Sequence, residues 1–355
     1  MNSLKYFQRF LILKKRVCGM FPLSDFYYRL FLVVLVLFAF CGIFILPVLG
    51  RTFYFPFFSE LSPIYVLRFN RVLVSMVAGG GLAMGGLVFQ SLFRNPLATP
   101  YTLGIASGAS FGAAVGFQSI FWFGGISGWF SSLIVFGFSP VSVGAFLGAI
   151  LATFIVFLLG GGKDASSERM LLAGVAVNFF FASLIVLIQY ISAPHDALQI
   201  LHWTMGELQN AVTADVWRMF PFVLLLFFVL LFFARELNIF ITGWDHAKSL
   251  GIEVGRLRLF LFVAVSLVVG VIVSVAGPIG FVGLMVPHIA RLIVGINHWR
   301  LIPVTFLCGA IFLAICDTIS RSIFYPVQIP VGVATNLLGG PFFIWLLLKT
   351  EKRLG

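Results

Sequence analysis

The sequence predicts an all-α membrane protein of about ten transmembrane helices with both termini on the cytoplasmic side. Three observations carry that prediction. Of the 355 residues, 61% are hydrophobic and only 10% are charged, whereas a soluble domain carries about 25% charged residues, so charge is too scarce to cover a surface in water. Apolar runs close to 20 residues long recur, which is the length that crosses about 30 Å of hydrocarbon as a helix. The alternation that marks a membrane barrel strand is absent. In lipid the remaining way to bond every backbone N–H and C=O within one segment is the helix.

The elements follow in chain order. Residues 1–29 are basic and read as a cytoplasmic N-terminal segment. The apolar run 30–49 is not followed by a small-residue cleavage signal, so it reads as a retained first span. Further spans are expected at 71–92, 98–117, 142–160, 170–192, 216–235, 259–277, 280–296, 301–320 and 331–348, before a short cytoplasmic tail at 350–355. An eleventh candidate, 119–139, is rich in Phe, Trp and Gly. Charge decides against it as a span. With ten spans and the N-terminus inside, 18 of the 23 lysines and arginines fall on the cytoplasmic side, as the positive-inside rule requires. An eleventh crossing would swap every later loop and weaken the bias. Residues 119–139 therefore read as an outer interfacial or re-entrant segment, with Trp122 and Trp129 suited to an interface. No domain boundary appears within 30–349, since the longest polar stretch, 240–258, is too short for a domain.

Several function classes fall away. A formal net charge of +11 could serve nucleic acid, but the basic residues lie in short connections between apolar runs and not on one face of a soluble fold. Cys18, Cys41, Cys308 and Cys316 form no CxxC pair and imply no metal site or disulfide framework. The run Gly160–Asp164 fails the phosphate-loop pattern: Phe157 stands where the first glycine belongs, and Asp164 where Ser or Thr should follow Lys163. His195, His202, His246, His288 and His298 show no HExxH spacing, so a zinc protease is not indicated. A transporter coupled to protons or sodium places ionisable groups near the midplane, and Asp317 is the clearest buried acid. Its i,i+4 neighbour Arg321 offers a local ion pair.

Four clusters carry information. Gly79 to Gly86 in the second span repeats small residues at spacings of three and four, which lets helices approach closely; Gly79 and Gly85 serve either packing or a translocation path. Asn95, Pro96 and Pro100 stop helix propagation between the second and third spans, giving either a tight turn or irregular backbone lining a path; Gly108 follows in the third span. In 277–291, Gly283 and Pro287 sit in a helix broken by proline at both ends, with His288 and Arg291 three apart on one face. His288 reads as a cap or interface group or as a proton relay. The last cluster is Asp317 with Arg321.

At these residues the chain resembles the FecCD-type permease family, the membrane subunits of type II ATP-binding-cassette importers for siderophores, haem and vitamin B12. The resemblance runs from about 65 to 349 and rests on NPLATPYTLGIASGA (95–109), LLAGVAVN (171–178), HAKSLGIEVGRLR (246–258), GPIGFVGLMVPHIARLIVG (277–295) and IPVGVATNLLGGPFFIWLLL (329–348). It implies a permease in the cytoplasmic membrane of a bacterium, without catalytic residues, that works by alternating access. The implied partners are a second permease copy or paralogue, two cytoplasmic ATPases that carry ATP and Mg, and an extracytoplasmic substrate-binding protein. It implies no cofactor bound by this chain. Within 240–258, Asp245, His246, Ala247, Lys248, Leu250 and Gly251 match the family's ATPase-coupling segment, where small Ala247 and Gly251 would permit close approach. Arg68, Arg71 and Arg321 match outer positions that meet acidic residues of the binding protein. Asn70, Glu207 and Gln328 depart from the family pattern, mostly on that outer side.

Overall fold

A computed structural model of the protein describes residues 25–50, 63–122, 139–161, 167–209, 211–323 and 327–351, and those residues are helical apart from turns and short links. The helices are α1 (Asp25–Val48), α2 (Pro63–Leu92), α3 (Ile105–Trp122), α4 (Pro140–Gly160), α5 (Ser167–Ile191), α6 (Pro194–Thr204), α7 (Thr213–Phe232), α8 (Ala234–Thr242), α9 (Trp244–Ser249), α10 (Val254–Ala276), α11 (Val282–Val294), α12 (His298–Ser322) and α13 (Val331–Glu351). Among the described residues, seven of these helices are long and apolar enough to cross a membrane: α1, α2, α4, α5, α7, α10 and α12. A shorter apolar helix is α11, and another lies within α13. Helix α3 has only 18 residues, most of them Gly, Ala and Ser.

The bundle is organised around α2. In its most apolar stretch 89% of residues are buried within the chain, against 11% in α1 and 22% in α5 and α7. Helices α10, α11 and α12 pack around α2, and α3 pairs with α4. The outer helices turn large apolar side chains outward, among them Phe38, Phe179 and Phe228. In lipid such a surface costs nothing, so the interior must be held by close packing and polar bonds.

Glycine provides that packing. A Cβ on Gly86 would overlap the carbonyl of Gly283 in α11, and one on Gly79 would overlap the carbonyl of Gly309 in α12. The α3–α4 contact is a second seam of the same kind. Gly108 and Gly112 of α3 interlock with Gly144 and Gly148 of α4, each lying against the other's backbone. Four-residue spacing places the glycines on one helix face, and without side chains the two backbones can touch.

The expected spans fall on helices in order, with corrections at their ends. The third begins at Ile105 and not at 98, because residues 93–104 form a bonded turn. Asn95 Oδ1 accepts from the Leu97 N–H at 2.9 Å, and Thr99 and Thr102 bond each other's backbone N–H. The second extends back to Pro63, taking Arg68, Asn70 and Arg71 into the helix. Residues 119–122 belong to α3 and not to a separate segment; 123–138 lie outside the described residues. Helix α6 was not expected. It opens on Pro194, whose fixed φ suits a first helical position.

Candidate functional site

Two bonded groups of polar side chains lie at opposite ends of α2. At one end, Asp317 of α12 is fully buried and its Oδ1 accepts from Arg71 Nη2 at 2.6 Å and Nε at 3.3 Å. The third arm of that guanidinium donates to Gln328 Oε1 at 2.7 Å. Arg321, one turn from Asp317, has its Nε 3.7 Å from Oδ2 and spends Nη2 on the Leu46 carbonyl at 2.6 Å and on Thr318 Oγ1 at 3.2 Å. Asn70 Oδ1 accepts from Thr213 Oγ1 at 3.0 Å, and Arg68 reaches toward the Pro47 carbonyl.

This geometry corrects two expectations. The main partner of Asp317 is Arg71, from a different helix, and the local i,i+4 contact with Arg321 is the weaker one. Arg71 and Arg321 are also not exposed arginines: they are 7% and 8% exposed and turned inward. A buried carboxylate needs a compensating cation, and Arg71 reaches it with a fork of two N–H groups on one oxygen. Gln328 and Asn70, two of the residues that depart from the expected pattern, bond to Arg71 and to Thr213 respectively.

At the opposite end, two neighbouring residues of α2 bond in different directions. Pro287 has no N–H, so the carbonyl of Gly283 four residues earlier has no helical partner. Gln90 Nε2 supplies one, donating to Gly283 O and Leu284 O at 3.2 Å each, while Gln90 Oε1 accepts from Arg291 Nη1. The buried proline of α11 thus creates the acceptor that ties it to α2. The next residue, Ser91, lies 2.9 Å from Nε2 of His298 at the start of α12. The other ring nitrogen, Nδ1, lies 2.8 Å from Asn238 Oδ1 of α8. His288 is buried in α11 beside this region.

Helix α8 leads directly into the polar segment singled out in the sequence. Gly243, at φ +140°, separates α8 from α9, and Gly251, at φ +79°, ends α9. The close of α9 is a Schellman turn: the Ile252 N–H donates to Ala247 O at 3.1 Å and the Gly251 N–H to Lys248 O at 2.9 Å. Gly251 supplies the left-handed conformation at low cost. Ala247 is fully buried. It does not offer its small surface outward, as expected, but lets α9 lie flat on the bundle. His246, Lys248, Leu250 and Gly251 are exposed, and Leu250 leaves 56% of its apolar surface uncovered.

The remaining predicted residues are structural neighbours of these two ends. Gly85 lies against Val265, Val269 and Pro100, Gly79 against Gly309, Gly283 against Gly86, and Gly108 against Gly148. Asn95 and exposed Pro96 lie in the turn between α2 and α3. Sequence reasoning missed Ser91, Asn238 and the Gly112–Gly144 contact. The glycine seam had a readable signal in its four-residue repeat. Asn238 had none, because its partners lie about 60 residues away.

A bundle of long apolar helices with apolar side chains turned outward, its described residues helical apart from turns and links, is that of a multi-pass membrane protein. The chain belongs to the FecCD transport family, whose model it matches over residues 30–349. It is 37% identical over 290 residues to the hemin transport system permease protein HmuU of Yersinia pestis, covering 81% of this chain and 84% of that one. It is 34% identical over 288 residues to the iron(3+)-hydroxamate import system permease protein FhuG of Bacillus subtilis, with coverages of 81% and 84%. To the vitamin B12 import system permease protein BtuC of Klebsiella pneumoniae it is 37% identical over 292 residues, with coverages of 82% and 83%. Its fold matches a solved structure described as a metal-chelate type ABC transporter in an inward-facing conformation. There the TM-score is 0.78 at 31% identity, covering 91% of this chain and 99% of that one.

Proposed function

We propose that this chain is the membrane subunit of an ATP-driven importer that carries an iron chelate, haem or a corrinoid into the cytoplasm of a bacterium. In this reading the chain crosses the cytoplasmic membrane ten times with both termini inside, and the α9 end faces the cytoplasm. It pairs with a second copy or a paralogue. ATP and Mg are held by separate ATPase subunits, and this chain has no catalytic residue and binds no cofactor. A binding protein delivers the ligand at the Asp317 end.

The observation that carries this reading is α9. It is a helix of six residues bounded by glycines, with Leu250 exposed at its close and no Cβ-sized obstruction beside Gly243 or Gly251. An exposed apolar residue at the end of a short polar helix fits a cleft on a partner, and ATPase movement would shift the helices attached to it as bodies. Among the arginines, Arg68 is the proposed docking contact for a carboxylate of the binding protein, since charged rim groups steer docking. Arg71 and Arg321 shape that surface from beneath. Asp317 does not suit ion coupling, because Arg71 already compensates it.

The test is to purify the chain with its associated ATPase and binding protein and measure vanadate-sensitive hydrolysis in liposomes. Gly251→Glu places a bulky charge at a positive φ on the proposed contact; it should leave the permease folded and abolish stimulation of the ATPase. Arg68→Glu should weaken stimulation by the binding protein at least tenfold while basal hydrolysis persists. Solute movement driven by a proton or sodium gradient, with no ATPase attached, would overturn the assignment.

A further inference from the structure

The proposed coupling helix must move the core of the permease, and α9 packs against α8 and α10, with Ala247 set into the core. One link from α9 to the core runs through neighbouring elements, and the side chains of α8 show where. Asn238 is one turn before Gly243. Its Oδ1 accepts from the backbone N–H of His298 at 2.8 Å, one of the N–H groups that a helix start leaves unpaired. Its Nδ2 donates to Asn297 Oδ1 at 3.2 Å, the same oxygen that caps α12 by accepting from the Trp299 N–H. Helix α8 thus caps α12 from outside.

His298 extends the connection. It is completely buried, and Ser91 is 4% exposed. An amide oxygen can only accept, so Nδ1 of the ring carries the hydrogen shared with Asn238. Nε2 is then an acceptor 2.9 Å from Ser91 Oγ, whose single hydrogen is shared with the Leu87 carbonyl at 2.9 Å. Asn238, His298 and Ser91 form an unbroken chain from α8 through α12 to the last turn of α2, the most buried helix of the bundle. We propose that His298 is the positioning residue through which movement of α9 is passed to α2, with Asn238 as its input and Ser91 as its output. This rests on the importer reading above. It adds that α9, α8 and the Ser91 end of α2 move as one body.

The prediction is tested on the complete complex, without any transported ligand. Spin labels are placed at Lys248→Cys on α9 and at Leu97→Cys, an exposed position just past the end of α2, in a background lacking the native cysteines. Distances are measured without nucleotide and after ATP, Mg and vanadate. In the wild-type sequence the Lys248–Leu97 distance should stay narrow and unchanged, while the Lys248–Lys248 distance between the two permease copies shifts. His298→Ala should uncouple the pair, so that the Lys248–Leu97 distance broadens or shifts only on adding ATP and vanadate, with hydrolysis retained. Asn238→Ala should do the same from a half-exposed position, which keeps the test decisive if His298→Ala fails to fold. His298→Gln, able to donate and accept, should restore most of the rigid behaviour. A purely structural role would lower the melting temperature and leave the ATP-dependent distances as in wild type; that result overturns the proposal. So does a wild-type Lys248–Leu97 distance that changes by several Å with nucleotide. If no ATPase associates with the chain at all, the importer reading falls and this inference with it.

Discussion

Asp317 sits between two arginines and engages them unequally. Oδ1 takes both N–H contacts from Arg71 at 2.6 and 3.3 Å, while Oδ2 has Arg321 Nε no closer than 3.7 Å. The two arginines should therefore differ in what their loss costs. Arg71→Ala strands a fully buried carboxylate, and breaking a buried pair from one side costs about 3–5 kcal/mol. Arg321→Ala leaves the stronger pair intact and should cost no more than about half as much on the same scale. Thermal unfolding in detergent should rank the variants Arg71→Ala below Arg321→Ala, with Asp317→Asn near Arg71→Ala. Equal melting temperatures for the two arginine variants would show that the carboxylate is shared evenly. The sequence made Arg321 visible through its i,i+4 spacing. It could not show Arg71, 246 residues away, because a contact between distant spans leaves no local periodicity.

At the scale of the element, glycine decides which helices can touch. The cluster 79–86 was legible as a packing motif from its small-residue repeat, and its partners turn out to be the backbones of α11 and α12. Gly86→Ala drives a methyl into the Gly283 carbonyl, and Gly112→Ala drives one into the Gly144 carbonyl. Backbone cannot yield as a side chain can, so each should cost about 1–3 kcal/mol by overpacking. Gly42→Ala is the matched control: it lies inside α1, where the added Cβ would meet only Leu46 Cδ1 at an ordinary 3.7 Å. There the better helix propensity of alanine should make the change neutral or stabilising by up to about 1 kcal/mol. Melting temperatures of the three variants check this, and a destabilised Gly42→Ala would mean that propensity and space alone do not govern the site. Helix boundaries were less legible. The third span is expected to begin at 98, just past Pro96. The hydroxyls of Thr99 and Thr102 satisfy backbone N–H groups there and make a turn stable where hydropathy alone suggests a helix.

At the scale of the whole molecule, charge distribution and side-chain bonding bear on the same question, the number of crossings. Under the positive-inside rule the distribution of basic residues predicts that 119–139 does not cross. The bundle approaches it from another direction. Ser91 at the end of α2 and Asn238 in α8 share His298, so both lie at one end of the bundle. An even number of crossings must then separate them, which the proposed ten-span topology meets when α3 crosses along with α4, α5 and α7. The two lines are independent, since one uses only the sign of charges in the connections and the other only hydrogen bonds between uncharged side chains. They lead to one measurement. Single cysteines at Leu97, Lys248, Val212 and Val327, in a chain lacking its native cysteines, can be probed with a membrane-impermeant maleimide. In inside-out vesicles Leu97→Cys and Lys248→Cys should react and the other two should not; in right-side-out vesicles the pattern should reverse. Labelling of Leu97→Cys and Lys248→Cys from opposite sides would require an odd crossing. That result would contradict both the charge count and the bond through His298, and α9 could no longer share a side with the end of α2 that it is proposed to move.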